Sequence, residues 1–333
     1  MSRVRLGVAA ALCALVGATV SGQDKQKFEL KFDKDAAGQF KPFFVKSKTD
    51  VVQQIKVQGQ DLTQKQESTF YFEWRPLKQE GDKWVLKEKV EGLRMSIDIS
   101  GNPIVYDSNQ KDAAGAAGNP GLMDFFRNLE GSEFTVTLTK DFKVEKVEGK
   151  DEFVKKLGAG SPQMDNLLKR IMTDEALKKM CDPTFDLVPD QPKGAGESWE
   201  KKTTLPLGPV GSYEVTYKFT YKGKDEKEKD KDKIEVDTSL VYKAPGENAD
   251  GLLFKIKSGD LKSTNPEKGT ILYDPKAGRV SKATIKIKLG GSLKVTIGGS
   301  DTDVELNQEL TTTIETDDKS LLKAPEPATP PKK

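Results

Sequence analysis

Histidine is absent from this 333-residue chain, and its absence excludes more chemistry than any residue present suggests. Without an imidazole, neither a Ser-His-Asp nor a Cys-His nucleophilic site can be assembled, and a His-ligated zinc or iron centre is equally out of reach. Cysteine is nearly absent as well. Cys13 lies in the apolar leader and Cys181 stands alone in the rest, so no intramolecular disulfide can form once the leader is removed. Stability must then come from a buried core. A dominant charge is also missing: 54 basic residues nearly cancel 52 acidic ones and the signs are interspersed, whereas a phosphate backbone demands a concentrated basic face. A nucleic-acid partner is not expected.

What is there begins with a secretory signal over residues 1–22. Arg3 and Arg5 form its charged start, Leu6 to Val16 its apolar core, and Val20-Ser21-Gly22 small residues for cleavage before Gln23. The apolar run is shorter than the roughly 20 residues that cross a bilayer, so cleavage and export are expected, to the periplasm or beyond, leaving no transmembrane anchor. Cys13 sits in mid-run behind Leu12, the wrong context for lipid attachment.

Beyond the leader, period-two alternation dominates. Tyr213, Val215, Tyr217, Phe219 and Tyr221 interleave with polar residues, as a half-buried antiparallel strand requires. The alternation returns at Ile234, Val236, Leu240 and Tyr242, which predicts a long hairpin with a solvated, charged tip over Gly223 to Lys233. Phe70, Phe72 and Trp74 predict one strand and Leu93, Met95, Ile97 and Ile99 another. Phe134, Val136 and Leu138 turn at Lys140-Asp141 into Phe142 and Val144. Further on, Ile285, Ile287 and Leu289 are followed by Gly290-Gly291, whose freedom at positive φ predicts a tight hairpin into Leu293, Val295 and Ile297. Val304, Leu306, Leu310 and Ile314 continue the meander.

In the middle of the chain the apolar spacing lengthens to three or four, which predicts helices. One starts at Asn119-Pro120 and presents Leu122, Phe125, Phe126 and Leu129; one starts at Ser161-Pro162 and presents Met164, Leu167, Leu168, Ile171 and Met172; a third, capped by Thr173, carries Leu177 and Met180. The expected fold is mainly β with minor α: two related antiparallel β-meanders forming a barrel, half-barrel or sandwich, with a central helical interlude. The relation rests on Ile104-Val105-Tyr106-Asp107 recurring as Ile271-Leu272-Tyr273-Asp274. The expected organisation is an N-terminal half over 23–181, a Pro/Gly linker over 182–196, a C-terminal half over 197–317 and a disordered Pro-rich tail over 318–333.

Several segments together resemble an uncharacterised family of exported bacterial proteins known only as a domain of unknown function. They are the stretch from Phe185 to Trp199, the segment from Gly269 through Asp274 to Gly278-Arg279-Val280, and the hairpin from Gly131 to Gly149. The resemblance implies a secreted β-rich architecture and brings no catalytic set with it.

Candidate chemistry is thin. Ser320 and Lys323 fit an S-x-x-K spacing without companion motifs. Gly115, Gly118 and Gly121 lack the Lys-Ser/Thr of a phosphate loop and read as a flexible stretch from Asp112 to Gly121. Asp301, Asp303 and Glu305 alternate, so they share one strand face and are candidate calcium ligands, with an exposed strand face as the plainer reading. Trp199 is a candidate core anchor or, alternatively, a sugar-stacking platform. Cys181 has no imidazole to activate it and reads as structural. No cofactor is expected. The leading functional expectation is a non-enzymatic envelope protein that binds a lipid or other hydrophobic ligand, its site lined by Phe125, Phe126, Met164, Leu168 and Met172. The alternatives are a structural or interaction module that docks on another envelope protein, and a carboxylate-dependent hydrolase.

Overall fold

The computed structural model describes residues 25–110, 120–159, 162–206, 210–246, 254–264 and 268–323. The segment expected to be an export signal, the expected Asp112–Gly121 loop up to Asn119, Ser161 and the tail from Ala324 lie outside the described residues. The first half contributes β1 (Phe43–Val57), β2 (Gln60–Glu80), β3 (Lys83–Ile99), β4 (Asn102–Asp107), β5 (Glu133–Thr139) and β6 (Val144–Glu148). Helices α1 (Pro120–Leu129), α2 (Lys150–Leu157), α3 (Pro162–Ile171) and α4 (Asp174–Phe185) fall between and after them. The second half supplies β7 (Ser198–Pro206), β8 (Ser212–Lys224), β9 (Asp232–Lys243), β10 (Phe254–Ser263), β11 (Lys268–Asp274), β12 (Arg279–Ile297) and β13 (Ser300–Asp317).

All the strands join one antiparallel sheet in the order β6-β5-β3-β2-β1-β13-β12-β10-β9-β8-β7, with β4 on β3 and β11 between β12 and β9. The two halves of the chain therefore lie side by side, and their joint is the pairing of β1 with β13 from Phe44↔Asp317 to Val57↔Val304. The sheet curls into a barrel-like wrap. One core cluster holds Val136 and Val147 from one end of the strand order together with Phe219 and Ile234 from the other. Helix α4 packs against β6, β7 and β12, so it spans the gap between the two terminal strands. A second apolar cluster, including Val215, Tyr242, Ile256, Val295 and Leu306, lies within the C-terminal half.

Alternation sets which residues enter the core. Leu86, Glu88 and Val90 face inward at even positions and Leu93 and Met95 at odd ones. The switch occurs at a β-bulge opposite Tyr71/Phe72, where Gly92 packs so closely on Ser108 that a Cβ would lie 2.6 Å from the hydroxyl. Farther along β1 the same face turns polar. Thr49 and Thr312 are within 3.1 Å, and Gln53 Nε2 donates to Gln308 Oε1 at 2.9 Å.

Residues 25–42 bind the halves together without forming a long strand. Gln26 exchanges backbone hydrogen bonds with Lys193. Phe28 packs against Tyr221 and Tyr273, and the Tyr273 hydroxyl donates to the Glu29 carbonyl at 2.7 Å.

The long β8–β9 hairpin pairs Tyr213 with Tyr242 as the alternation predicts. Its tip is less solvated than its charge suggests: Asp232 is fully buried, and Lys231 pairs with Asp274 at 2.6 Å. The expected hairpin at Gly290-Gly291 is not formed. β12 runs through both glycines while pairing with β13, and the turn comes at Gly298-Gly299, both at positive φ. Gly291 instead admits β10, since a Cβ there would sit 1.8 Å from the Asp260 carbonyl oxygen. The β5–β6 turn extends one residue further than expected, with Phe142 at φ 63 and its side chain buried.

Thr173 caps α4 as expected, its Oγ1 accepting the Ala176 N–H at 3.1 Å. The buried stripe of α4 is Leu177, Cys181 and Phe185, spaced at i, i+4, i+8, and Met180 points out with 51% exposure. α2 was not anticipated. α4 runs into the stretch read as a linker, where Leu187 and Val188 are buried and the Lys201 ammonium donates to Asp186 Oδ1 and the Val188 carbonyl. Residues 318–323, expected within the disordered tail, dock on β3. Leu322 packs over Gly92, Ser320 Oγ donates to Glu91 Oε2 at 2.7 Å, and Asn109 Nδ2 donates to the Lys323 carbonyl. Among the described residues, no helix is long and apolar enough to cross a membrane.

Candidate functional site

The helical interlude forms an open concavity. Gly149 and Gly158 bracket α2, and Asp151 and Glu152 in its first turn and Lys155 and Lys156 in its last complement the helix dipole. Phe153, Val154 and Leu157 anchor it on the core. Gly158 lets α3 approach closely, because a Cβ there would lie 2.7 Å from the Asp165 Cα. Two hydrogen bonds tie α2 to α1 and the turn after it: Asn128 Nδ2 to the Ala159 carbonyl at 3.3 Å and Lys156 Nζ to the Glu130 carbonyl at 3.0 Å.

Between α2 and α3 lies an open groove of about 820 Å³. Val154, Gly158, Ala159, Pro162 and Met172 supply apolar lining, and Lys150, Asp151, Lys155, Asp165 and Lys169 form its charged rim. Most of that charge is spent internally. Lys150 pairs with Asp174 of α4 at 2.6 Å, which raises the Lys150 pKa and lowers that of Asp174. Lys169 pairs with Asp165, also at 2.6 Å. Lys155 and Asp151 remain, one of each sign.

Of the five residues expected to line an apolar site, Met172 lines this groove. Phe126 and Leu168 are buried in the core, and Phe125 and Met164 are half-buried against it. Tyr106 packs on Phe126 at 5.3 Å and Phe125 on Phe126 at 5.7 Å. The stripes are apolar, and most of their side chains pack in or against the core. The groove itself comes from α2 and its flanking glycines.

Two further concavities are more polar. One of about 720 Å³ is bounded by Glu29, Asp82, Trp84, Lys140, Asp141 and Asp190, among others, and one of about 350 Å³ by Gln54, Asp61, Glu305 and Asn307, among others. Trp84 is held edge-on by Phe32 and Phe40.

The other candidate residues resolve individually. Asp301 is engaged by Lys257 and Thr296 at 2.8 Å. Among the described residues, no group of three or more Cys, Asp and Glu side chains is arranged to hold a metal. Ser320 gives its hydroxyl hydrogen to Glu91, which leaves Lys323 without the role S-x-x-K would assign it. Trp199 is half-buried and stacked on Phe219 at 5.1 Å, as a core anchor would be. Sequence reasoning missed Glu88 altogether. This inward carboxyl is 7% exposed, burial pushes its pKa up to about 8, and the Cys181 thiol donating to Oε2 at 3.5 Å offsets part of that rise. Its signal was present: an acid at an inward position of an alternating strand.

Residues 81–280 match a family of unknown function, DUF6263, and the chain belongs to that family. No curated protein matches it. Among solved structures, the chain is similar to lipovitellin, in a structure described for its lipid–protein interactions, at 9% identity and a TM-score of 0.43; the match covers 90% of this chain and 26% of that one. The chain thus spans about a quarter of the lipovitellin it matches. Similarity extends to Pseudomonas aeruginosa OccK5 (OpdH) at 9% identity and a TM-score of 0.22, covering 83% of this chain and 98% of that one. OpdQ of the same organism matches at 8% identity and a TM-score of 0.24, covering 83% and 99%.

Proposed function

We propose that this protein is an exported binding protein that takes a hydrophobic small molecule without net charge into the groove between α2 and α3. One observation carries the reading: the groove has an apolar lining, two of its rim lysines, Lys150 and Lys169, are already paired with Asp174 and Asp165, and the remaining Lys155 is matched in sign by Asp151. A ligand carrying one charge would meet a rim of balanced sign; an apolar body gains from covering Ala159, Pro162 and Met172, which are not buried. The volume suits a small molecule, since ligand pockets fall at roughly 300–1,000 Å³. Export fits a folded body in which Gln26, three residues past the expected cleavage point at Gln23, is already bridged to Lys193.

Titration with Nile red, a neutral apolar fluorophore, tests the groove. Saturable binding at one site per chain is expected, weakened at least tenfold by Ala159→Trp, which fills the groove from an exposed position, with the melting temperature unchanged. Equal binding by the variant places the fluorophore elsewhere and rejects the proposal.

A further inference from the structure

The buried carboxyl of Glu88 is not explained by the groove. It projects from β3 into the core, opposite Trp74 of β2 and Phe134 of β5. The described groups around it are apolar apart from one. Leu86 and Val90 flank it on its own strand, Trp74 and Phe134 cover it from the neighbouring strands, and Leu177 and Phe185 share with Cys181 the buried stripe of α4. Cys181 is the titratable group that reaches it, and among the described residues no charged side chain acts on the carboxyl. The sulfur lies 3.5 Å from Glu88 Oε2 and 3.4 Å from the Leu177 carbonyl, while the buried indole Nε1 of Trp74 has no hydrogen-bond partner among the described residues. Among the described residues an ionised carboxylate in this setting has no counter-charge and one weak donor.

We propose that Glu88, buried beneath Cys181 of α4, acts as a proton-dependent latch, in which α4 stays seated on the sheet while the carboxyl is neutral and loss of its proton to solvent accompanies the lifting of α4. α4 is the element able to move for this purpose, because it bridges the terminal strands β6 and β7 whereas β3 is paired on both sides. Lifting it exposes Cys181 and breaks the Lys150–Asp174 pair at its first turn. The latch stands whether or not the groove takes a ligand.

The sign follows from linkage. Closed, Glu88 titrates near 8; open to water, it titrates near 4.5. Between those values the open state releases a proton that the closed state keeps, so opening becomes about tenfold easier per pH unit and levels off above 8.

Alkylation of the Cys181 thiol on the full chain, followed by peptide mass mapping so that Cys13 is counted apart, reads the open state. Each rate is divided by that of the denatured chain at the same pH, which removes the thiolate's own titration. The normalised rate is expected to rise about tenfold per unit from pH 6 to 8 and then flatten, and in Glu88→Gln to be independent of pH. A flat wild-type profile, or the same rise in the variant, overturns the latch. Should Glu88→Gln fail to fold, hydrogen exchange on the unaltered chain decides. Protection of α4 amides, corrected for intrinsic rates, is expected to fall over this window while β12 and β13 keep theirs; unchanged α4 protection, or equal loss throughout, rejects the proposal.

Discussion

The Tyr221 hydroxyl donates to Asp232 Oδ1 at 2.7 Å with both side chains buried, so the base of the most highly charged hairpin in the chain is pinned inside the core. Lys224 reaches the other oxygen at 3.1 Å from the surface. Burial, and then the neighbouring carboxylate, push the tyrosine pKa well above its usual value. Tyr221→Phe removes the buried donor and leaves Asp232 with its outer partner. A loss of about 1–3 kcal/mol in urea unfolding is expected. Lys224→Gln, at the wet end, costs less than half as much.

Global stability carries the imprint of Glu88. Burial lifts its folded pKa to about 8, above the ordinary carboxyl value of 4.5, so the folded chain binds the extra proton and this group's contribution is complete below pH 4.5. It is lost as pH rises towards 8, by a total on the order of a few kcal/mol. Urea midpoints measured from pH 5 to 9 should show this decline in the wild type and a shallower one in Glu88→Gln. Parallel curves refute the assignment.

Gly291 and Gly59 separate two reasons for glycine. Both have positive φ, but a Cβ at 59 meets open space and one at 291 meets the Asp260 carbonyl oxygen at 1.8 Å. Gly59→Ala should cost about 1 kcal/mol from backbone strain alone. Gly291→Ala should cost about 3 kcal/mol by forcing β10 off β12. Thermal melts of the two variants check the order.

Strand content was legible because alternation is local: Tyr213 to Tyr242 pairs as its pattern reads. Partnership across the sheet was not. Gly290-Gly291 carries the signature of a turn, and the reason it lies mid-strand is Asp260, far along the chain. Asp232 reads as one charge among many until Tyr221 is placed beside it. The candidate site was half legible for a similar reason. The spacing of Phe126 and Leu168 marks an apolar stripe but does not tell core from ligand lining, and short α2 offers too few turns to stand out. Its bracketing glycines and its acid-to-base polarity were the available signal.

Native mass spectrometry of the protein purified from its producing cells tests the binding account most directly. One neutral small-molecule adduct per chain is predicted for the wild type and its loss for Ala159→Trp. An adduct retained by the variant, or a wild-type chain that carries none from its own cells, contradicts it.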